Sequence, residues 1–190
     1  FHESTKVEII WTVIPFIILV GMAVPATKAL IMMEDTRDSE ITLKVTGYQW
    51  MWQYEYLEDN VSFFSKIDNE SNVARRLNSG IEVTEVDHYL RNVDNVVVLP
   101  TETKVRILLT ASDVIHAWWV PELGGKKDAI PGYINELWVD IKEPGTYRGQ
   151  CAELCGKDHG FMPIVVKAVP KNEYYKWVSI KKSNKVAKTK

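Results

Sequence analysis

This sequence contains few cysteines and has almost no net charge. Its 190 residues include only two cysteines, which rules out a disulfide framework for a chain of this length. The formal net charge is −2, so nothing in the composition points to nucleic-acid binding. The motif Cys-x-x-Cys-His is absent, so no haem is expected to be covalently attached to these residues. Hydrophobic residues still make up 46% of the chain, which argues for a packed core and against disorder.

Charge is also missing from one long stretch near the start of the chain. Residues 9–26 contain no charged side chain, which is close to the ~20 apolar residues that cross a bilayer. Pro15 and Pro25 are compatible with a transmembrane helix, and Lys28 follows where its side chain can reach the interface. The stretch therefore predicts a transmembrane helix, with Glu8 directly before its first apolar residue. A secretory signal peptide is less favoured because no cleavage site of small residues stands out, and a buried soluble helix is less favoured at this length.

The remainder of the sequence predicts β-structure. Aromatic residues occupy alternate positions after residue 47, which places them on one face of a single strand. These residues are Tyr48, Trp50, Trp52, Tyr54 and Tyr56. On this interpretation Trp50 would reach the surface only at a bulge or an edge position. Pro and Gly separate further candidate strands, which suggest an antiparallel sandwich or barrel. They lie at 95–100, 104–111, 135–141, 145–151 and 162–169.

Three segments are expected along the chain. The transmembrane helix takes residues 1–34, and a β-domain takes residues 35–170. Within this domain, residues 60–94 are polar and poorly patterned, which predicts an insertion with a hairpin at most. Residues 171–190 should form a short helix beginning near Asn172, followed by a solvated basic tail.

Both cysteines fall in one short loop, "GQCAELCGKDHGFMP" (149–163). Cys151, Cys155, His159 and Met162 follow the pattern Cys-x3-Cys-x3-His-x2-Met. Thiolate, imidazole and thioether ligands select copper, whereas calcium and magnesium prefer oxygen. The methionine argues against structural zinc, which Cys and His normally enclose. The loop therefore predicts a copper site.

A copper site of this kind needs a second imidazole from elsewhere in the chain. His116 is the best candidate because it follows the predicted strand 104–111, whereas His2 precedes the apolar segment and His88 lies in the polar insertion. Two thiolates on one loop can bridge two copper ions and let them share one electron. The alternative is a disulfide between the two cysteines in an oxidising compartment. The histidine and methionine that follow in phase favour the metal.

Six segments of the sequence resemble subunit II of the haem–copper cytochrome c oxidases. They are "VEIIWTVIPFIIL", "GYQWMWQYEY", "VDNVVVLP", "DVIHAWWVP", "KKDAIPG" and "GQCAELCGKDHGFMPIVV". The resemblance covers nearly the whole chain, and its last motif is highly specific. It implies a mainly β fold, a cupredoxin-like Greek-key β-barrel or sandwich with an N-terminal transmembrane helix. That helix would be the second of the two that family members usually carry, since the sequence does not contain the first.

The resemblance also implies a binuclear copper centre called CuA. Carried over by position, Cys151 and Cys155 would bridge the two copper ions. One copper would also take His116 and Met162, and the other would also take His159. These assignments come from the family and not from the spacing of the residues.

Four further roles follow from the same resemblance. The backbone carbonyl of Glu153 would complete the copper ligands, and its side chain would point toward a magnesium site shared with the catalytic subunit. Trp50 would be the residue through which electrons enter from a docked cytochrome c. Glu8 would lie near the entrance of a proton-uptake route. Met51 departs from the family, since many members carry tyrosine at this position.

The implied function is to accept electrons from cytochrome c and pass them to the haem of the catalytic subunit. There, oxygen is reduced to water and protons are pumped, so the chain would be one subunit of an oxidoreductase and translocase. Carboxylates would steer a basic donor, and association would depend on salt. The candidates nearest the metal motifs in sequence are Asp113, Glu122, Asp128, Asp140 and Asp158.

The implied partners are the haem–copper subunit I, other oxidase subunits, cytochrome c and membrane lipid. The β-domain would face the periplasm from a bacterial inner membrane, which is favoured, or the intermembrane space of mitochondria. A membrane-anchored copper-delivery protein with a Cys-x3-Cys site is the main alternative, but such proteins are thioredoxin-like and need alternating helices and strands. Related quinol oxidase subunits lack the copper ligands, and a nitrous-oxide reductase copper domain would not need the apolar segment.

Overall fold

The computed structural model describes residues 3–188, which divide into two compact units. The first unit ends at Asp35 and consists mainly of helix α1, Thr5–Glu34. At a rise of about 1.5 Å per residue this helix is about 45 Å long. Its length and composition are sufficient to cross a membrane, and both prolines lie inside it. The predicted apolar helix is therefore present, and it extends beyond residues 9–26 at both ends.

The second unit begins at Thr36 and contains two five-stranded sheets. The strands of the first sheet, in chain order, are β1 Ile41–Tyr48, β2 Met51–Tyr56, β3 Val61–Ser65, β5 Lys104–Ala111 and β8 Asn135–Asp140. Those of the second sheet are β4 Val97–Pro100, β6 His116–Trp119, β7 Lys126–Ala129, β9 Gly145–Cys151 and β10 Pro163–Val169. In space the orders are β3-β2-β1-β5-β8 and β4-β10-β9-β6-β7. The mainly β architecture expected from the sequence is confirmed.

Both sheets are mixed, so the expectation of purely antiparallel strands is wrong at two places. Strand β1 pairs in parallel with β5, and β4 pairs in parallel with β10. Parallel neighbours require a crossover connection. Here the chain passes through the other sheet before it returns, since β4 lies between β3 and β5 in sequence. The chain therefore crosses from one sheet to the other several times.

The core lies between the two sheets and follows the alternation of apolar residues. Strand β5 buries Val105, Ile107, Leu109 and Ala111 and turns the residues between them outward. Period-two alternation is the signature of a strand with one buried face, and the prediction at 104–111 matches this strand in both limits. The strands β3, β6 and β7 were not predicted. They are short, and β7 carries the polar sequence KKDA.

The aromatic run after residue 47 is not one strand, contrary to the prediction. Strand β1 ends at Tyr48 and β2 begins at Met51, so Gln49 and Trp50 form the turn of a hairpin. Trp52 is fully buried as expected, but Trp50 lies off the strand and is half-buried. The turn, and not a bulge or an edge position, brings Trp50 to the surface.

The polar insertion is more structured than a hairpin. It contains strand β3, the short helix α2 (Asn69–Ala74) and a single 3-10 turn, Val83–Glu85. The side chain of Asp68 caps α2 by accepting a hydrogen bond from the backbone N–H of Ser71 at 2.8 Å. Helix α2 escaped the sequence prediction because it buries only Ser71 and Ala74, which leave no apolar periodicity to detect.

The final helix, α3, spans Lys171–Lys188 and is longer than the short helix that was predicted. Tyr174 and Val178 are buried, and the Tyr174 hydroxyl donates a hydrogen bond to Asp59 at 2.9 Å. The residues expected to form a basic tail are helical as far as Lys188.

Tyr56 joins the two sheets through its hydroxyl group, which leads to a prediction. The hydroxyl donates to the carbonyl of Val98 at 2.9 Å and accepts from the Val98 N–H at 3.0 Å, in a buried position. Tyr56→Phe leaves both backbone groups without this partner, which should lower the free energy of unfolding by about 1–3 kcal/mol. Urea unfolding of the chain in detergent, followed by near-UV circular dichroism, measures the change.

The matched control is Tyr147→Phe, because the Tyr147 hydroxyl donates to the Glu143 carbonyl at an exposed position. A change of at most about 0.5 kcal/mol is expected there. Equal losses in the two variants would show that the Tyr56 hydroxyl does not join the sheets.

Candidate metal centre

Strand pairing brings the residues of the cysteine loop together. Cys151 ends β9, and Met162 directly precedes β10, which pairs antiparallel with β9. The backbone N–H of Cys151 donates to the carbonyl of Met162 at 3.1 Å, so the ends of the loop face each other. His159 begins a single 3-10 turn, His159–Phe161, within the loop. The loop therefore folds back over one end of β9.

His116 reaches the loop because β6 lies on the other side of β9. His116 is the first residue of β6, and Trp118 of this strand pairs with Cys151. The pairing continues past the strand, where the N–H of Ala152 donates to the carbonyl of Ala117 at 2.9 Å. The His116 side chain is fully buried. A residue 35 positions before Cys151 is thereby placed beside it.

The two sulfur atoms lie 3.8 Å apart, and both cysteines are free thiols. A disulfide bond would hold them at about 2.05 Å. Each sulfur has a different imidazole beside it: His116 Nδ1 is 3.9 Å from Cys151 Sγ, and His159 Nδ1 is 3.5 Å from Cys155 Sγ. The carbonyl oxygen of Glu153 lies 3.4 Å from Cys151 Sγ.

These donors fit copper ions. Among the described residues, His116, Cys151 and Cys155 form a cluster whose ligand atoms all lie within 4.8 Å of one another. Met162, which follows Cys155 by seven residues, is fully buried. Thiolate, imidazole and thioether donors suit copper, whereas magnesium and calcium need oxygen donors. These donors are therefore chemically suited to the copper site that the loop predicts.

Protonation of the site follows from burial and from close contacts. Burial opposes ionisation of Cys151, but hydrogen bonds with the His116 imidazole and with nearby backbone groups lower its pKa to about 7. Burial and the neighbouring charge of Cys151 raise the pKa of Cys155 to about 12. The metal-free pair therefore gives up one proton readily and holds the second. Metal binding must displace that proton, which makes binding depend on pH.

Asp113 orients the His116 ring. Its Oδ1 atom is 2.9 Å from His116 Nε2, which leaves Nδ1 directed at Cys151. Its carboxylate also accepts the backbone N–H groups of Gln49 and Val114, each at 2.7 Å. Burial alone would lower the pKa of His116, but contacts with Cys151 and Asp113 raise it. Asp113 was predicted only as a docking carboxylate, and this contact was not expected.

The turn between β1 and β2 lies against the cysteine loop. The side-chain amide of Gln49 and the indole N–H of Trp50 both donate to the carbonyl of Cys155, at 2.9 and 3.2 Å. Gly156 has a φ of 117°, and a Cβ atom there would lie only 3.1 Å from the Trp50 ring. The positive φ favours glycine at this position, and the nearby indole leaves little room for a side chain. Trp50 is thus one hydrogen bond away from Cys155.

The predicted docking carboxylates do not form one group. Asp128 is exposed on β7, where it pairs with Ala117, and Glu122 is exposed in a 3-10 turn after β6. Asp158 lies in the cysteine loop and forms an ion pair with Arg75 at 3.3 Å. Asp140 ends β8 opposite the first residue of β5, so it lies about 20 Å along the sheet from the end that leads to His116.

The remaining predicted residues occupy separate places. Glu8 lies in the first turn of α1 and is exposed, and the Glu153 side chain is exposed in the loop. Met51 begins β2 and is half-buried. His88 is exposed beside Asp87, whereas His2 lies outside the described residues.

Gly47 is a residue that the sequence interpretation did not single out. A Cβ atom at Gly47 would lie 2.7 Å from Cδ2 of the His116 ring. A glycine inside a strand often marks such a close approach, which is the signal that could have identified it. On another side, the Trp52 ring packs edge-on against the imidazole at a centroid distance of 5.8 Å. The imidazole is thus confined against the face of the sheet that Gly47 of β1 and Trp52 of β2 share.

Gly47→Ala should displace the His116 ring and weaken metal binding. The added methyl group needs the room that the imidazole occupies, and overpacking of this kind costs about 1–3 kcal/mol. Copper affinity, measured by competition with a chelator, should fall by about tenfold or more. Gly160→Ala is the control, because a Cβ atom at Gly160 meets nothing within 4 Å. Equal affinities for the two variants would contradict the confinement of His116.

Asp113→Asn should lower the pKa of His116 in the metal-free chain, as measured by NMR titration. The raised pKa means that protonated His116 stabilises the fold below about pH 6.5, the unfolded value, and that this contribution is lost as pH rises through the folded value. Asp113 itself has a lowered pKa and stays ionised across that range. The substitution should therefore destabilise the chain more near pH 6 than near pH 9, by at most about 1 kcal/mol for this exposed carboxylate.

Asp128→Asn serves as the control, since this exposed residue is on β7 and pairs with Ala117 rather than with the imidazole. A pH-independent loss of stability in Asp113→Asn would rule out the charge interaction with His116.

Comparison with known proteins identifies the family. Residues 41–169 match the family model described as Cytochrome C oxidase subunit II, periplasmic domain, and residues 1–29 match the model of the transmembrane domain of the same subunit. The chain is 46% identical over 188 residues to the probable cytochrome c oxidase subunit 2 of Rickettsia prowazekii, covering 98% of this chain and 56% of that protein. It is 43% identical over 185 residues to the subunit 2 of Cyanidium caldarium, covering 95% and 69%.

A solved structure agrees with these matches. The periplasmic domain of subunit II of cytochrome oxidase (CoxB) of Bradyrhizobium japonicum superimposes with a TM-score of 0.69 at 36% identity, covering 79% of this chain and 99% of that one. The chain spans 56–65% of the length of the first four curated relatives it matches. The apolar helix and the match to a periplasmic domain fit a membrane-anchored protein, and the Rickettsia relatives favour a bacterial setting. The chain belongs to the cytochrome c oxidase subunit II family.

Proposed function

We propose that this chain accepts electrons from cytochrome c and delivers them to the haem of a catalytic partner subunit, which reduces oxygen to water and pumps protons. The observation that carries this proposal is the pair of free thiols 3.8 Å apart, with a different imidazole nitrogen beside each sulfur. Membership of the cytochrome c oxidase subunit II family supports it.

Two copper ions would be held by the donors of the cysteine loop and of β6. The proposed ligands are the side chains of His116, Cys151, Cys155, His159 and Met162 and the backbone carbonyl of Glu153. When bound, such a copper pair takes up one electron and shares it between both ions. The two cysteines are the proposed bridging ligands, because their sulfur atoms are adjacent and each also faces its own histidine.

The fold places two of the proposed ligands on paired strands. Cys151 belongs to β9, and His116 belongs to the neighbouring strand β6. Ligands on paired strands move little when the charge of a site changes, which favours fast electron transfer. His116 and Met162 are both fully buried, so water has no access to these two proposed ligands. Asp113 fixes the tautomer of His116 by accepting from its Nε2–H.

Trp50 is the proposed residue through which electrons enter. Its half-buried indole donates directly to the carbonyl of Cys155, one of the proposed bridging ligands. Among the predicted docking carboxylates, Asp113, Asp128 and Asp158 lie on the loops and strands of the metal centre, and exposed Glu122 follows β6. Asp158 is paired with Arg75, and Glu122 follows the end of β6 opposite to His116. We therefore propose Asp113 and Asp128 as the docking carboxylates for a basic donor, whose association should weaken with salt.

Three further assignments complete the proposal. The exposed side chain of Glu153 is free to face a magnesium ion shared with subunit I while its carbonyl faces Cys151. Glu8, in the first turn of α1, is the proposed entrance of a proton-uptake route. Helix α1 anchors the chain in a bacterial inner membrane, with the β-domain in the periplasm beside the other oxidase subunits.

The fold disfavours the alternative of a copper-delivery protein. A thioredoxin-like protein needs helices that alternate with strands. In the part of the chain that the structure describes, six consecutive strands from β5 to β10 follow one another with only 3-10 turns between them.

Copper loading tests the bridging pair. Two equivalent copper nuclei that share one unpaired electron give a seven-line hyperfine pattern in electron paramagnetic resonance, whereas one localised copper gives four lines. The chain in detergent should show seven lines, and Cys155→Ser should lose them because one bridging sulfur is replaced by a hard oxygen donor. Leu154→Ala is the control, since this side chain between the cysteines is 77% exposed. Seven lines in Cys155→Ser would refute the bridging assignment.

Replacement of Trp50 tests the route of electron entrance. Trp50→Phe removes the indole N–H that contacts Cys155, so electron transfer from reduced cytochrome c should slow by about tenfold or more, or about 1.4 kcal/mol in the barrier. Binding of cytochrome c should stay near normal. Trp119→Phe is the control, because Trp119 is 38% exposed on β6 and packs on Lys126. Stopped-flow kinetics that are the same in both variants would remove Trp50 from the route.

A further inference from the structure

The structured insertion places one arginine on the cysteine loop. We propose that Arg75, which follows helix α2, is a positioning residue that holds the turn bearing His159. This role rests on the proposed function insofar as His159 is a copper ligand. The contact itself is between protein groups and can be tested without metal.

Arg75 contacts one residue before His159 and one residue after it in the sequence. Its Nη1 atom forms an ion pair with Asp158 Oδ1 at 3.3 Å, and its guanidinium group lies 4.3 Å from the centre of the Phe161 ring. Its Nε–H donates to the side chain of Asn72 at 2.9 Å, which fixes the plane of the guanidinium group. Asp158 directly precedes His159, and Phe161 ends the 3-10 turn that His159 begins. One planar cation thus contacts both ends of the turn.

Hydrogen bonds hold helix α2, and with it Arg75, to the rest of the insertion. Ser71 is fully buried, and its hydroxyl oxygen accepts the backbone N–H of Leu90 at 3.1 Å. The N–H of Asp68 donates to the carbonyl of Asn92 at 3.1 Å. These contacts join the two halves of the insertion around α2, which keeps α2 from moving independently of the segment that returns to the sheet.

The base of the insertion is attached to the strand that carries Cys151. Arg148 of β9 donates to the carbonyl of Arg91 at 2.8 Å and to the side chain of Asn92 at 2.7 Å. The backbone N–H of Asp94 donates to the carbonyl of Lys66 at 3.0 Å, which joins the two ends of the insertion. The turn with His159 is therefore supported from β9 by two paths, one through the loop and one through Arg75.

The turn needs this support because it is short. Two backbone hydrogen bonds define it, from His159 N–H to the carbonyl of Gly156 at 3.2 Å and from Phe161 N–H to the carbonyl of Asp158 at 2.9 Å. The side chain of Gln150 adds one contact, to the carbonyl of Gly160 at 2.8 Å. A single turn has little stability of its own. Loss of the Arg75 contacts should increase its opening and loosen the position of the His159 imidazole.

Amide hydrogen exchange of the metal-free chain in detergent tests the contact. Arg75→Met keeps much of the side-chain length but removes the charge and the planar group. Exchange of the His159 and Phe161 amides should speed up by about tenfold, as expected when an ion pair and a cation–π contact are lost together. Arg75→Lys keeps the charge for Asp158 but loses the planar stacking, so a smaller increase of about threefold is expected.

Arg76→Met is the matched control, because Arg76 is the next residue, has the same chemistry and is exposed. Its exchange rates at residues 157–161 should equal those of the unmodified chain. Unchanged exchange in both Arg75 variants would overturn the proposal, and equal acceleration in Arg76→Met would do so as well.

Release of copper to a chelator provides the second readout. Arg75→Met should release copper about tenfold faster than the unmodified chain, because a loosened ligand dissociates more readily, and Arg76→Met should not. Faster amide exchange without faster release would overturn the claim that the contact positions a ligand. Faster exchange in Arg75→Met, combined with no seven-line signal in the unmodified chain, would support the contact and count against the proposed function alone.

Discussion

The pairing of β9 with β10 on one side and with β6 on the other is the constraint on which the proposed metal centre depends. Cys151 ends β9, so the neighbouring strands deliver Met162 and His116 to the same point of the sheet. The loop that follows then needs only a few residues to return Cys155 and His159 to it. The position of the site is thus decided by the order of the strands in the second sheet, and the loop supplies the chemistry.

Local patterns predicted much of this fold, and the failures have a physical cause. The predicted strands 104–111 and 145–151 match β5 and β9 in both limits, and β5 shows the alternating burial expected of a strand with one buried face. The aromatic run failed because a hairpin places directly paired residues on one face, so Gly47 shares a face with Trp52, and Tyr48 shares the other with Met51. An alternation that continues through the turn is therefore coincidental. Helix α2 and the polar strand β7 bury too little apolar surface to leave a pattern.

In the candidate site, the sequence revealed the residues that lie close together in the chain and missed those that fold together from distant positions. The donors of the cysteine loop were visible because they lie within twelve positions of one another, from 151 to 162. The groups that support them were not, since Gln49 reaches the carbonyl of Cys155 across 106 positions and Arg75 reaches Asp158 across 83. Contacts of this kind are made by tertiary folding and have no signature in spacing or composition. Gly47, a glycine within a strand, was the one supporting residue with a recognisable sign.

The hairpin turn between β1 and β2 touches both halves of the centre through one residue. The backbone of Gln49 binds the carboxylate that orients His116, and its side chain binds the carbonyl of Cys155. Neighbouring Trp50 forms part of the same turn and reaches the surface. A displacement of this turn would therefore act on His116, through Asp113, and on Cys155 of the loop at the same time.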